Sequence, residues 1–130
     1  MKKILLVFAV GFSSYTGFAQ QGKVVSAWNY IQSYNKGEGP DNLENAKVAI
    51  DEAIANEATM NQTKTWWYRS QVYQFIASDA TLKPKYPDAA LESIKSFAKM
   101  RALNEPKFKD WEDAIKNLQA LSTVVFNDGV

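Results

Sequence analysis

Apolar residues return every three or four positions along most of this chain, the period of a helix with one buried stripe. Val24, Ala27, Trp28, Ile31 and Tyr34 mark a first stretch, and Leu43, Ala46, Ile50, Ala53 and Ile54 a second. A third carries Trp66, Trp67, Tyr68, Val72, Tyr73, Phe75 and Ile76, and a fourth Ala90, Leu91, Ile94, Phe97, Met100 and Leu103. The fifth runs through Phe108, Trp111, Ala114, Ile115, Leu118, Leu121 and Val125, with its stripe reaching Phe126. Sustained apolar–polar alternation is missing, and no Asn-Gly or Asp-Gly turn joins β-branched runs, so no strand is predicted.

The breaks between stripes are explicit. Asn35-Lys36-Gly37-Glu38-Gly39-Pro40 separates the first two, and Asp41 three residues before Glu44 has the spacing of a capping box. Helix two is expected to end between Asn56 and Met60, and helix three to run from Thr63 to about Ala80. Pro84 cannot continue a helix, whereas Pro87 suits the first position of helix four. Asn104-Glu105-Pro106 closes that helix. Each stripe covers one face only and needs a neighbour. Short connections make antiparallel hairpins the expected packing. The fold class predicted is all-α, with about five helices.

The start of the chain reads differently. Met1-Lys2-Lys3 is a positive lead, Ile4 to Phe12 an apolar run, and Gly17 and Ala19 are small residues before a cut after Ala19. That is the layout of a secretory signal peptide over residues 1–19. The run is far short of the ~20 apolar residues that a membrane span needs. The expected location is periplasmic or secreted, with no stable membrane span after signal removal. Cutting there removes two lysines and takes the net charge from +1 to −1.

Composition narrows the chemistry. The chain has 130 residues, enough for one domain, and 17 aromatics (4 Trp, 6 Tyr, 7 Phe) to fill a core. It has no Cys and no His, so it lacks thiolate ligands, a cysteine nucleophile and the commonest general base near neutral pH. The adjacent acids Asp51-Glu52 and Glu112-Asp113 diverge by about 100° on a helix and read as solvated faces, not a convergent acid–base pair. Calcium-loop and zinc spacings are missing, so no cofactor or metal is expected and the chain is read as no enzyme. Near-zero charge offers no footprint for nucleic acid. Asn61-Gln62-Thr63 reads as a helix start rather than a glycosylation site.

Helix pairs one-two and three-four repeat one plan, with Trp28 and Trp66 separated by 38 residues. Trp66-x2-Arg69-Ser70-x2-Tyr73, Ser93-x3-Phe97-x2-Met100 before Pro106, and Ala46-x3-Ile50-x2-Ala53 resemble the motifs of tetratricopeptide repeats, whose hairpins span about 34 residues. Small residues let paired helices approach, and large aromatics fill the gaps between hairpins. Two departures stand out: Arg69 replaces a usual Leu, and the segment from Tyr73 to Ser93 is about eleven residues longer than the ~34-residue repeat allows. The ending Phe18-Ala19-Gln20 also resembles export signals common in Bacteroidetes-type bacteria.

The resemblance implies a short right-handed α-solenoid. Repeat one would cover residues 24–60, repeat two 61–106, and a third or capping helix 107–127, within a domain spanning 20–130. It also implies that first helices line a groove that holds an extended peptide or protein segment. The lining positions would be Asn29 in repeat one and Lys64, Trp67, Tyr68, Gln71 and Phe75 in repeat two. Trp66, Ala46 and Phe97 would lie inside the core. Packing of Trp67 on helix one or five is the bland alternative. Arg69 is expected to pair with a nearby acid, with Asp79 and Asp88 as candidates, or else to grip a ligand carboxylate. The function expected is that of an exported, non-catalytic protein–protein interaction module. The alternative is a glycan-binding component of a nutrient-uptake system using Trp67 and Tyr68. The apolar end of helix five points to further repeats or to self-association.

Overall fold

The structure, a computed structural model, describes residues 2–106 and 108–127, with side chains over residues 18–106 and 108–123. It comprises α1 (Lys2–Asn35), α2 (Asp41–Ile54), α3 (Thr63–Ser78), α4 (Ala89–Leu103) and α5 (Trp111–Asn127). No strand occurs among the described residues. The backbone of α1 is helical through the expected cut after Ala19. The side chains of Ile4 to Phe12, and those of Val125 and Phe126, lie outside the described set. Among the described residues no helix is long and apolar enough to cross a membrane.

α1 packs along α2 and α3 along α4, α2 lies against α3, α1 also reaches α3, and α5 rests on α3 and α4. The stripes read from the sequence supply the core. Ile31, Leu43, Ile50, Ile76 and Met100 are fully buried, each contributing about 1.5–3 kcal/mol by leaving water. Ala27, Ala46 and Ala53 are also fully buried, and Phe97 is buried. Ser70 and Ser93 sit where small residues were expected and touch directly, with Ser93 Oγ donating to Ser70 O at 2.7 Å. Small side chains at such a crossing set a short interaxial distance.

The ends of the elements differ from expectation in several places. α1 closes on Gly37 at φ +85°; Gly37 N–H donates to Tyr34 O (2.9 Å) and Glu38 N–H to Ser33 O (3.1 Å). That is the paired-bond helix stop that glycine favours. The predicted capping box does not form. Pro40 precedes α2 without a side-chain cap, and the Glu44 carboxylate instead accepts from Tyr86 Oη at 2.8 Å and pairs with Lys85. Pro87 lies outside α4, because Asp88 takes the position before Ala89. Phe108 precedes α5. Asn104 ends α4 at φ 49°, a left-handed conformation that Asn tolerates.

The long segment between α3 and α4 is a folded strap. The Asp79 carboxylate accepts from Thr81 N–H (2.9 Å), Leu82 N–H (3.0 Å) and, on its other oxygen, Tyr34 Oη (2.8 Å). The Tyr34 hydroxyl holds this carboxyl below its usual range. Leu82 is buried, and Tyr86 carries the strap onto Glu44 of α2.

α5 presents two unlike faces over its described side chains. Glu112, Asp113, Lys116, Gln119, Ser122 and Thr123 are exposed, while Ala114 and Leu121 are buried. Over its described side chains this helix turns a largely polar surface outward, with Ile115 and Ala120 the apolar exceptions.

Candidate functional site

α1, α3 and α5 border a cleft of about 760 Å³. Trp28 comes from α1; Lys64, Trp67, Tyr68 and Gln71 from α3; Asp113, Lys116 and Asn117 from α5. Glu105, Phe108, Lys109 and Asp110 complete it from the segment before α5. Two turns of α3 carry Lys64, Trp67, Tyr68 and Gln71 on a single side, since three- and four-residue steps share a helix face.

The cleft wall is aromatic. Trp28 and Tyr68 stack with centroids 4.9 Å apart and planes at 19°. The Lys64 ammonium stands 5.4 Å from the Tyr68 centroid, within cation–π range. Phe108 meets Trp111 edge-on at 5.9 Å. The rim alternates sign: Lys64, Lys109 and Lys116 face Glu105, Asp110 and Asp113.

Of the six residues expected in a groove, Lys64, Trp67, Tyr68 and Gln71 border this cleft, while Asn29 and Phe75 do not. Asn29 is exposed beside it in sequence, and Phe75 is packed on Tyr34 with centroids 5.8 Å apart. The expected division of the tryptophan pair is reversed. Trp67 is 3% exposed and Tyr68 8%, whereas Trp66 is only partly buried and donates its Nε1–H to Met60 O at 2.6 Å. A run of three spans about 200° of helix. The face that α3 must bury follows Val72 and Ile76, so Trp66 is turned to its margin.

The contribution of α5 was not foreseen, although a signal exists. Trp111 lies 45 positions after Trp66 and donates Nε1–H to Glu105 O at 2.8 Å, six residues back, as Trp66 does to Met60. Carrying that offset through α3 takes Lys64, Tyr68 and Gln71 to Lys109, Asp113 and Lys116, all of which border the cleft.

On the opposite side of α3 lies a buried polar cluster. Arg69 is 7% exposed. Its Nε donates to Asp51 Oδ1 at 3.0 Å, one Nη to Glu92 Oε2 at 3.0 Å, and the other to Ser96 Oγ at 2.6 Å. The guanidinium lies 4.4 Å from the Tyr73 ring centroid. Tyr73 Oη and Lys47 Nζ donate to Asp51 Oδ2 at 2.7 and 3.1 Å. Arg69 thus pairs with acids, as expected, but with Asp51 and Glu92 rather than Asp79 or Asp88. Asp51 accordingly is no solvated surface acid, while Glu52 pairs with Lys23 at 2.6 Å near solvent. Burial, helped by the bond to Asp51, pushes the Tyr73 phenol up to about 12. The Arg69 bond holds the Glu92 carboxyl below its usual range. Burial alone would lower the Arg69 value, but the bonds to Glu92 and Asp51 raise it, so the cation persists.

Among the described residues no group of three or more His, Cys, Asp or Glu side chains could hold a metal ion. The fold and cleft define the molecule as an all-helical protein of two hairpins and a fifth helix. Comparison of the chain with protein-family models, curated proteins and solved structures finds no match.

Proposed function

We propose that this chain is an exported, non-catalytic interaction module of tetratricopeptide type. Its hairpins stack as a short right-handed α-solenoid, its first 19 residues serve as a signal peptide, and its cleft holds an extended segment of a protein or peptide partner. The observation that carries the reading is the cleft shared by α1, α3 and α5. Its volume of about 760 Å³ falls in the range typical of ligand sites, roughly 300–1,000 Å³. Gln71 and Asn117 offer side-chain amides there, each able to donate to and accept from a peptide backbone. The balanced charges of the rim suit a segment of mixed sequence better than a polyanion. The matched tryptophan bonds of Trp66 and Trp111 support a repeating unit.

The glycan alternative has less support. Sugar stacking needs an open ring face, and Trp67 and Tyr68 are buried, with Tyr68 already engaged by Trp28 and Lys64.

The test is selection of peptides from a displayed library on the full chain, followed by calorimetric titration of the winners. Lys64→Glu and Asn117→Ala are expected to weaken binding about tenfold or more, roughly 1.4 kcal/mol, with unchanged melting. Binding indifferent to both substitutions would remove the cleft from the reading. Tryptophan fluorescence that responds to oligosaccharides and not to peptides would favour the glycan alternative.

A further inference from the structure

We propose that Arg69 is a positioning residue whose guanidinium ties α2 to α4 behind α3 and thereby sets the width of the cleft in front of it. Among the described residues, α2 and α4 make no close backbone approach to each other, though each packs on α3. What spans them is the guanidinium, bonded to Asp51 on α2 and to Glu92 and Ser96 on α4. The tie is rigid for two reasons. A planar fork bonded on both edges has little freedom. Tyr73 stacks on it and fixes Asp51 through its own hydroxyl.

The geometry of α3 turns this tie into a control on the cleft. At about 100° per residue, Arg69 and Tyr73 share one side of the helix, and Lys64, Trp67 and Gln71 share the opposite one. α3 is therefore the fulcrum between back and front. Across the front, α1 and α5 have no backbone contact among the described residues, so nothing there fixes their separation directly. A rotation of the first hairpin that lengthens the α2–α4 gap shortens the α1–α5 gap. With the cation gone, Asp51 and Glu92 keep as charged partners only the lysines of their own helices, Lys47 and Lys95, no bond among the described residues holds α2 to α4, and the back is free to open.

The absence of cysteine makes the measurement direct. Asn29→Cys and Lys116→Cys place spin labels on α1 and α5 in the full chain. Pulsed dipolar spectroscopy then reads the distance between them without any ligand, so its outcome is independent of the binding reading. Arg69→Met is expected to shift the distribution to shorter distance and broaden it, with helicity by circular dichroism unchanged. Glu92→Gln, which weakens one arm of the tie, is expected to broaden the distribution with a smaller shift, and decides the matter if Arg69→Met does not fold. Met100→Ala, a core change that leaves the tie intact, is expected to keep the parent distribution. The parent distribution in folded Arg69→Met, or in Glu92→Gln where the former does not fold, overturns the proposal. So does a Met100→Ala shift equal to that of the tie variants.

Discussion

Trp67 and Lys64 border the same cleft for different reasons, and substitution separates them. Trp67 is an anchor of the core, so Trp67→Ala should cost about 3–5 kcal/mol of stability in chemical denaturation. Lys64→Ala on the exposed rim should change stability by less than about 0.5 kcal/mol. Tyr73 gives a second test. Burial holds its phenol up at about 12 in the folded chain, against the ordinary 10.0 of a tyrosine. Between those values the unfolded chain releases the proton that the folded chain keeps. The stabilisation is therefore complete below pH 10 and is lost as pH rises through 12. Denaturation in urea from pH 9 to 12 should show a steeper loss for the parent than for Tyr73→Phe. Helical spacing placed Lys64, Trp67, Tyr68 and Gln71 on one helix, although their choice as groove positions came from the resemblance to tetratricopeptide repeats. Spacing did not reveal which aromatic turns inward, because Trp66, Trp67 and Tyr68 are all large aromatics and only the helices packed around α3 distinguish them. The partners of Arg69 were likewise beyond reach, since Asp51 and Glu92 come from two other helices.

Among the elements, helices were more legible than their ends. All five stretches of helical period are helices, because a one-sided stripe has few other ways to be buried. Their termini depend on local competition that period does not encode. Glu44 had the spacing to cap α2, yet it binds Lys85 and Tyr86 from a strap more than forty positions away. The excess length between Tyr73 and Ser93 showed that something was inserted; Asp79 and Leu82 show how it folds. The turn after α1 is the element most exposed to one substitution. Gly37→Ala meets no atom within 4 Å but must hold φ +85°. It should therefore lower stability by about 1–2 kcal/mol, read as a fall in melting temperature with no change in helix content.

At the scale of the molecule, the polar cluster behind α3 makes stability sensitive to acid. The Arg69 bond holds the Glu92 carboxyl ionised below the ordinary 4.5 of a glutamate. That contribution is present above pH 4.5 and is lost as pH falls through the lower folded value. Glu92→Gln should therefore show a shallower loss of stability between pH 5 and 2 in denaturant titrations. The assembly of the hairpins carries a last consequence. Every helix leans chiefly on its neighbours along the chain, so most loops that must close during folding are short. Chains wired this locally acquire their structure in microseconds to milliseconds, and stopped-flow refolding should be nearly complete within the dead time. A protein that folds so promptly gives little time for its apolar stripes to find the wrong company.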